Sequence, residues 1–311
     1  MPGSASTDHS HSSARTSSQY PWNRRSRERG VCVMSPSAAT DLRNRIEQLG
    51  DLPTLPHVVQ KLASMIGRPN VSAEEIGSLI EKDQVLAAKV LRLANSPFYG
   101  FPSRIASVPH AVVVLGLNVV KGLTLCATAH DIMKDAGLGQ LWRHSLGVAI
   151  TAQLLGKRLE MKNVEEVFVA GLLHDIGKVI LYVKWPDVGK KIRAANPSGD
   201  RPMMQVEQDL YEVSHAEVGG WLANAWHLPA TLREPILFHH QPGAAQDAQL
   251  QTAVVHVADV LVKGMACGNP GDEWVPPLSR QAWNLVGLDT ESLAGCISRA
   301  SEEFLAIDDY L

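Results

Sequence analysis

Gly171-Leu-Leu-His-Asp-Ile-Gly-Lys178 is the stretch on which the reading of this chain turns. His174 and Asp175 stand side by side in a run that, Lys178 apart, is apolar from Val167 to Val183. The spacing predicts a helix in which Val167, Ala170, Gly171, His174, Lys178 and Leu181 share one buried stripe. An imidazole and a carboxylate are costly to bury there unless something compensates them. A hydrogen-bonded pair that satisfies itself would do so, and so would a metal ion. The dipeptide alone leaves both readings open.

Working outward adds partners at wide spacing. Upstream, Leu141-Trp-Arg-His-Ser145 places His144 on a helix whose stripe runs Leu141, His144, Val148, Ala152, Leu155, Leu159. Downstream, Ala253-Val-Val-His-Val-Ala-Asp-Val-Leu-Val262 has His256 and Asp259 as its only polar residues. Between them lie His215 and the pair His239-His240. This ordered series resembles the HD superfamily of metal-dependent phosphohydrolases, from about residue 140 to about 262. The resemblance implies one divalent ion held by His144, His174, Asp175 and Asp259. It also implies a second site completed by His215, His239 and His240, with Asp175 bridging. Mixed imidazole and carboxylate ligation suits hard-to-borderline ions and lowers the pKa of bound water toward neutrality. Iron, manganese, zinc and magnesium are not distinguished by such a set. The catalytic candidates are Asp175 and Lys178; Lys178 reads either as a phosphate contact or as an ion-paired lysine. Neighbouring histidines project about 100° apart on a helix, so one helix serves two sites only near its end. Pro242 supplies that end.

Composition bounds the rest. The chain has 311 residues, 45% of them apolar and 5% aromatic, enough for one large domain or two small ones. A net charge of −3 gives no electrostatic case for nucleic acid. No apolar run approaches the roughly 20 residues of a membrane helix. Cys32, Cys126, Cys267 and Cys296 are scattered without a CxxC pair, which favours a reducing, cytoplasmic setting over a disulfide framework. Residues 1–38, rich in Ser, Arg and His, read as a disordered tail, and Met34 is a candidate alternative start.

From Ala38 the pattern is of short amphipathic helices, at 41–49, 57–66, 73–80, 84–94, 108–115 and 118–135. Ser72-Ala-Glu-Glu75 and Ser214-His-Ala-Glu217 are capping boxes, Asp83 is an N-cap, and Asn163-Val-Glu-Glu166 reads as an Asn cap. A helix N-terminus at His215 would disfavour its protonation. Helices at 187–195 and 203–211 have wet faces and read as structural. His57, His110, His130 and His227 read as surface or capping residues. His256 reads either as a partner that orients Asp259 or as a buried structural hydrogen bond. No strand pattern occurs.

Leu55-Pro56, Ile80-Glu-Lys-Asp-Gln-Val-Leu86, Val90-Leu-Arg-Leu-Ala-Asn-Ser96 and Ala111-Val-Val-Val-Leu-Gly-Leu117 are similar to the HDOD family, the HD-related output domain of bacterial signalling proteins. His215-Ala-Glu-Val-Gly219, Trp226-His-Leu-Pro229 and His239-His240 carry the likeness into the second half, so that it spans about Leu52 to Lys263. The resemblance implies an all-α chain with a helical lobe at 40–136 and an HD-like lobe at 137–311. It implies a stand-alone signalling module acting through a protein partner, with a bound divalent metal. The alternative it leaves is a phosphohydrolase or phosphodiesterase with a nucleotide or cyclic nucleotide as ligand. Two departures weigh against the enzyme. Gln241-Pro-Gly-Ala-Ala245 stands where relatives that cleave cyclic dinucleotides have Gly-Tyr-Pro, and Gln140 stands where some carry an acidic ligand. Asn95-Ser-Pro-Phe-Tyr99 reads as a packed corner, with a docking surface as the other reading.

Overall fold

The structure is a computed structural model and describes residues 72–95 and 103–307. All of these fall in one compact unit, Ser35–Leu311. The expected tail at 1–38, the helices read at 41–49 and 57–66, and residues 96–99 of the corner lie outside the described residues.

The fold is all-α, with no strand among the described residues. The chain runs through α1 (Ala73–Glu81), α2 (Gln84–Ala94), α3 (Val108–Leu115), α4 (Leu117–Asp135), α5 (Gly139–Arg158), α6 (Val164–Leu173) and α7 (Ile176–Val179). After a π-helical turn at Ile180–Lys184 come α8 (Pro186–Ala195), α9 (Met203–Tyr211), α10 (His215–Ala225) and α11 (Ala230–Phe238). A 3₁₀ turn at Pro242–Ala244 leads to α12 (Gln249–Gly264), α13 (Arg280–Val286) and α14 (Thr290–Ile307). No described helix is long and apolar enough to cross a membrane.

Local signals explain the starts. Ser72 and Ser214 both close full capping boxes, and Asp83 caps α2 by accepting from the Leu86 N–H at 3.0 Å. Asn163 does not cap α6 with its side chain. Glu166, which would complete a box there, instead accepts from the Asn118 amide at 3.1 Å and ties α6 to α4. Asn95 ties the end of α2 to Ile105: its side-chain amide donates to the Leu91 and Ile105 carbonyls and accepts from the Ile105 N–H.

Helix α5 is the central post, packed against α6, α12 and α14, while α6 also touches α4 and α11. Val167, Phe168, Val169, Ala170, Leu172 and Leu173 are all buried, so α6 has no wet side. The sequence stripe was therefore only part of a helix buried all round. Outside it, α14 closes the bundle with Cys296, Ala300 and Phe304 on one buried face. A smaller apolar cluster gathers Leu181, Trp185, Ile192, Met203 and Val206 under α8 and α9.

The expected single helix through residues 167–183 is broken. His174 ends α6, and Asp175 (φ −98°, ψ 14°) leaves the helical basin before α7 begins. Gly177 lets the short α7 press against α10, since a Cβ there would collide with the His215 carbonyl. The break turns Asp175 toward both halves of the ligand series.

Candidate metal centre

Five elements bring the predicted ligands together. His144 comes from the middle of α5, His174 and Asp175 from the α6–α7 break, and His215 from the first turn of α10. His239 and His240 sit in the turn just past α11, as the need for a helix end required, and Asp259 comes from α12. His144, His174, Asp175, His215, His239 and Asp259 are each at most 1% exposed, while His240 is half-buried.

Asp175 is the hub. Its Oδ2 lies 3.3 Å from His174 Nε2 and 3.9 Å from His144 Nε2; its Oδ1 lies 3.2 Å from His215 Nε2 and 3.8 Å from His239 Nε2. Asp259 Oδ1 lies 3.0 Å from His144 Nε2 and 3.9 Å from His174 Nε2. Ligands about 2.1 Å from one ion would stand roughly 3–4 Å apart, which is the observed spacing. Three overlapping groups have ligand atoms within 4.8 Å of one another: His144 with His174 and Asp259, His174 with Asp175 and His239, and His215 with His239 and His240.

The fit to a cation rests on which atoms lack partners. Nε2 of His144, His174 and His239, and Oδ1 of Asp175 and Asp259, are buried and form no aligned hydrogen bond. Unpaired buried polar atoms are rare because each forfeits its solvation. A self-satisfied His–Asp pair would not leave five of them facing one another. Meanwhile the far ring nitrogens are tied down: His174 Nδ1–H donates to the Gly171 carbonyl at 2.7 Å, and His239 Nδ1–H to the Ile236 carbonyl at 3.0 Å. That fixes the tautomer that presents Nε2 as a lone pair.

Electrostatics agree. Burial pushes the His144, His239 and His240 imidazoles toward the neutral, ligating form. Burial opposes ionisation of Asp175, yet Lys178 and His174 hold its carboxyl well below the usual range. Asp259 is held low in the same way, against burial, by Lys263 and His144. Lys178 donates to Asp175 Oδ2 at 2.9 Å and is 1% exposed, so of its two readings the ion-paired one describes its position.

Two expectations change. The α10 dipole was expected to disfavour a protonated His215; burial, the largest single influence, also acts that way, but Glu207 and Asp175 together outweigh it and the pKa is raised. Glu207 Oε2 accepts from both the His215 N–H (2.7 Å) and Nδ1–H (2.6 Å) at zero exposure. The sequence reading passed over it, because α9 looked like a wet structural helix. The available signal was a lone glutamate between Val206 and Leu210 on the inward side. His256 does not orient Asp259: its Nδ1–H donates to the His239 carbonyl at 2.7 Å. His110 and His227 are exposed, and Gln140 is exposed too.

With this geometry established, likeness to known proteins follows. The sequence profile of the HDOD domain matches residues 52–242. The chain belongs to the HDOD family. An HDOD domain protein of unknown function from Geobacter sulfurreducens is 30% identical and superposes with a TM-score of 0.67, covering 88% of this chain and 98% of that one. A candidate phosphohydrolase from Shewanella amazonensis SB2B is 25% identical, with a TM-score of 0.59 over 85% of this chain and 94% of its own. An uncharacterized protein of Treponema pallidum (strain Nichols) is 26% identical over 221 residues, which is 70% of this chain and 43% of that one. This chain therefore spans less than half the length of that curated relative.

Proposed function

We propose that this HDOD chain is a signalling module that carries one or two divalent metal ions and works through a protein partner. In this reading the chain has two lobes that meet near residue 136, with the ions in the second. The observation that carries it is the sealing of the centre: six ligand side chains are at most 1% exposed. Structural metal sites are closed, whereas catalytic sites keep a position open to substrate. Lys178, the candidate phosphate contact, is buried and turned inward onto Asp175, which supports a structural ion pair.

His144, His174, Asp175 and Asp259 would hold the first ion, and His215, His239 and His240 the second. A divalent ion there would supply binding energy to the fold and, where substrate reached it, Lewis acidity. Asp175 would bridge, and Glu207 would hold His215 in place.

The phosphohydrolase reading keeps one supporting observation, the half-buried His240, which gives the cluster an edge toward solvent. Two measurements decide between them. Elemental analysis of protein purified without chelating resin is expected to find metal in the wild type and only a trace in Asp175→Ala. The loaded protein, screened against nucleotides and cyclic mono- and dinucleotides, is expected to be inactive. Turnover above about 1 s⁻¹ that vanishes in Asp175→Ala would establish the enzyme instead.

A further inference from the structure

The segment between α12 and α13 is tied at three points to candidate ligands or to residues that flank them. At its start Gly268 (φ +71°) lies on α5, where a Cβ would collide with the backbone of His144 and Gln140. Asn269 N–H then donates to the Gln140 carbonyl at 3.1 Å. In the middle, Asp272 accepts from the Met203 N–H at 2.9 Å and pairs with Lys263 at 3.3 Å. Met203 opens the helix that carries Glu207 to His215, and Lys263 stands one turn after Asp259. At the end, Ser279 N–H donates to His256 Nε2 at 3.0 Å, and the same ring passes its Nδ1–H to the His239 carbonyl. The segment nonetheless faces solvent, with Trp274 44% and Val275 48% exposed.

The His256 ring is the tightest of these links. It is 3% exposed and bonded at both nitrogens, and the partners dictate its tautomer. A carbonyl accepts only a donor, and an amide N–H needs an acceptor. His239 caps α11, past the last residue of regular helix, so its position depends on what grips its backbone. Its ring is bonded back to the Ile236 carbonyl and therefore follows that backbone.

We propose that His256 is a positioning residue for the metal centre, setting His239 according to how the strap 268–279 is seated. The proposal rests on the metal reading above. Through it, the exposed strap and the occupancy of a sealed centre become linked: a bound ion steadies the strap, and displacing the strap loosens the ion. Such linkage is reciprocal by thermodynamic necessity.

The link can be cut from outside the ligand set. Ser279 has φ −64°, the value proline imposes, so Ser279→Pro removes the N–H donor without forcing the backbone. Ser279→Ala keeps that N–H, and both variants lose the hydroxyl cap on the Ala282 N–H. Zinc affinity by equilibrium dialysis is expected to be about tenfold weaker in Ser279→Pro than in Ser279→Ala, the usual scale for disturbing a ligand's outer partner. Hydrogen exchange of strap amides is expected to slow on zinc addition in Ser279→Ala and to be unchanged in Ser279→Pro. Equal affinities in the two variants overturn the proposal while leaving the metal reading intact. A wild type that binds none of zinc, manganese, iron and magnesium removes both. Should Ser279→Pro fail to fold, His256→Asn decides. Its amide can still donate to the His239 carbonyl, so it must hold zinc more tightly than His256→Leu, and equal loss overturns the proposal.

Discussion

Between α1 and α4, Thr124 and Thr128 return their hydroxyls to carbonyls four residues back, and buried Lys121 donates to the Trp226 and His227 carbonyls at 2.5 and 2.9 Å. Around α5, α6, α11 and α12, by contrast, His144, His174, His239, Asp175 and Asp259 each leave a buried ligand atom unpaired. The first region spends its polar groups on holding helices together. The second holds buried polar atoms that face one another without partners, the set that the proposed function assigns to ions. The difference separates a folding device from a binding one within a single all-α fold, and it tells where an ion should matter.

The largest break in that contrast is expected from Asp175→Ala. It removes the hub of the centre and strands Lys178, a fully buried cation whose ion pair is Asp175. Leaving a buried charge without its partner costs about 3–5 kcal/mol. Urea denaturation should show that loss together with loss of metal. Asp175→Ala with Lys178→Met should regain much of the stability and none of the metal. Recovery of metal in the double variant would mean that Asp175 is not a ligand.

The next effect is a pH dependence that differs between the two regions. His144, His239 and His240 have folded pKa values below the ordinary 6.5, so below that pH the unfolded chain binds protons the native centre refuses. Metal-free protein should therefore lose stability as pH falls below about 6.5. The slope is about 1.4 kcal/mol per pH unit for each proton of difference. His215, whose pKa is raised, acts with opposite sign: its contribution is present below 6.5 and fades as pH rises through its folded value. Lys121 works at the other end. Burial lowers it from 10.5 to about 8, so between these values the unfolded chain again binds the extra proton and stability should climb with pH. Lys121→Met should flatten only the alkaline rise, and a His239→Leu variant only the acid loss.

How much of this was legible beforehand follows from which signals are local. The capping boxes at Ser72 and Ser214 involve residues three apart and were readable as written. The convergence of the His and Asp series was legible because such residues, recurring on otherwise apolar helices, must meet polar partners in a shared interior. The break at Asp175 was not legible, because apolar periodicity continues smoothly through it; what demands it is the meeting of α7 with His215 across Gly177. Glu207 and the true partner of His256 were hidden for the same reason. Each acts between separate helices, eight and seventeen residues apart in the chain, where the spacing within a helix does not say which faces meet.

Lys121→Met also tests the contrast at constant pH. Two carbonyls at the end of α10 lose their shared donor, and Trp226 is buried, so about 1–3 kcal/mol is expected. The cost should be the same with zinc as with chelator, since Lys121 lies outside the ligand shell. A cost that doubles on metal removal would mean that α4 and the centre are one cooperative unit and that the contrast drawn here is too sharp.

The smallest effect compares two helix starts that look alike in sequence. Ser214 accepts from the Glu217 N–H at 3.3 Å, and Glu217 returns a bond to the Ser214 N–H at 2.8 Å, fixing the turn that begins with His215. Ser214→Ala is expected to cost about 1 kcal/mol. Asn163 opens α6 with the same spacing to a glutamate but makes no side-chain cap bond: the Glu166 N–H goes to the Asn163 backbone carbonyl at 3.2 Å, and the Glu166 carboxylate is committed to Asn118. Asn163→Ala should stay within about 0.5 kcal/mol of wild type, as surface changes away from a specific contact usually do. Thermal melts of the two variants, run with and without zinc, separate a second consequence. The Ser214 cap anchors the turn that carries the candidate ligand His215, so on the metal reading its loss should also lower zinc affinity, whereas Asn163→Ala should leave affinity alone. Equal melting shifts for both variants would mean that the Ser214 box holds no more than its sequence spacing does at Asn163. His215 would then owe its placement to Glu207 alone.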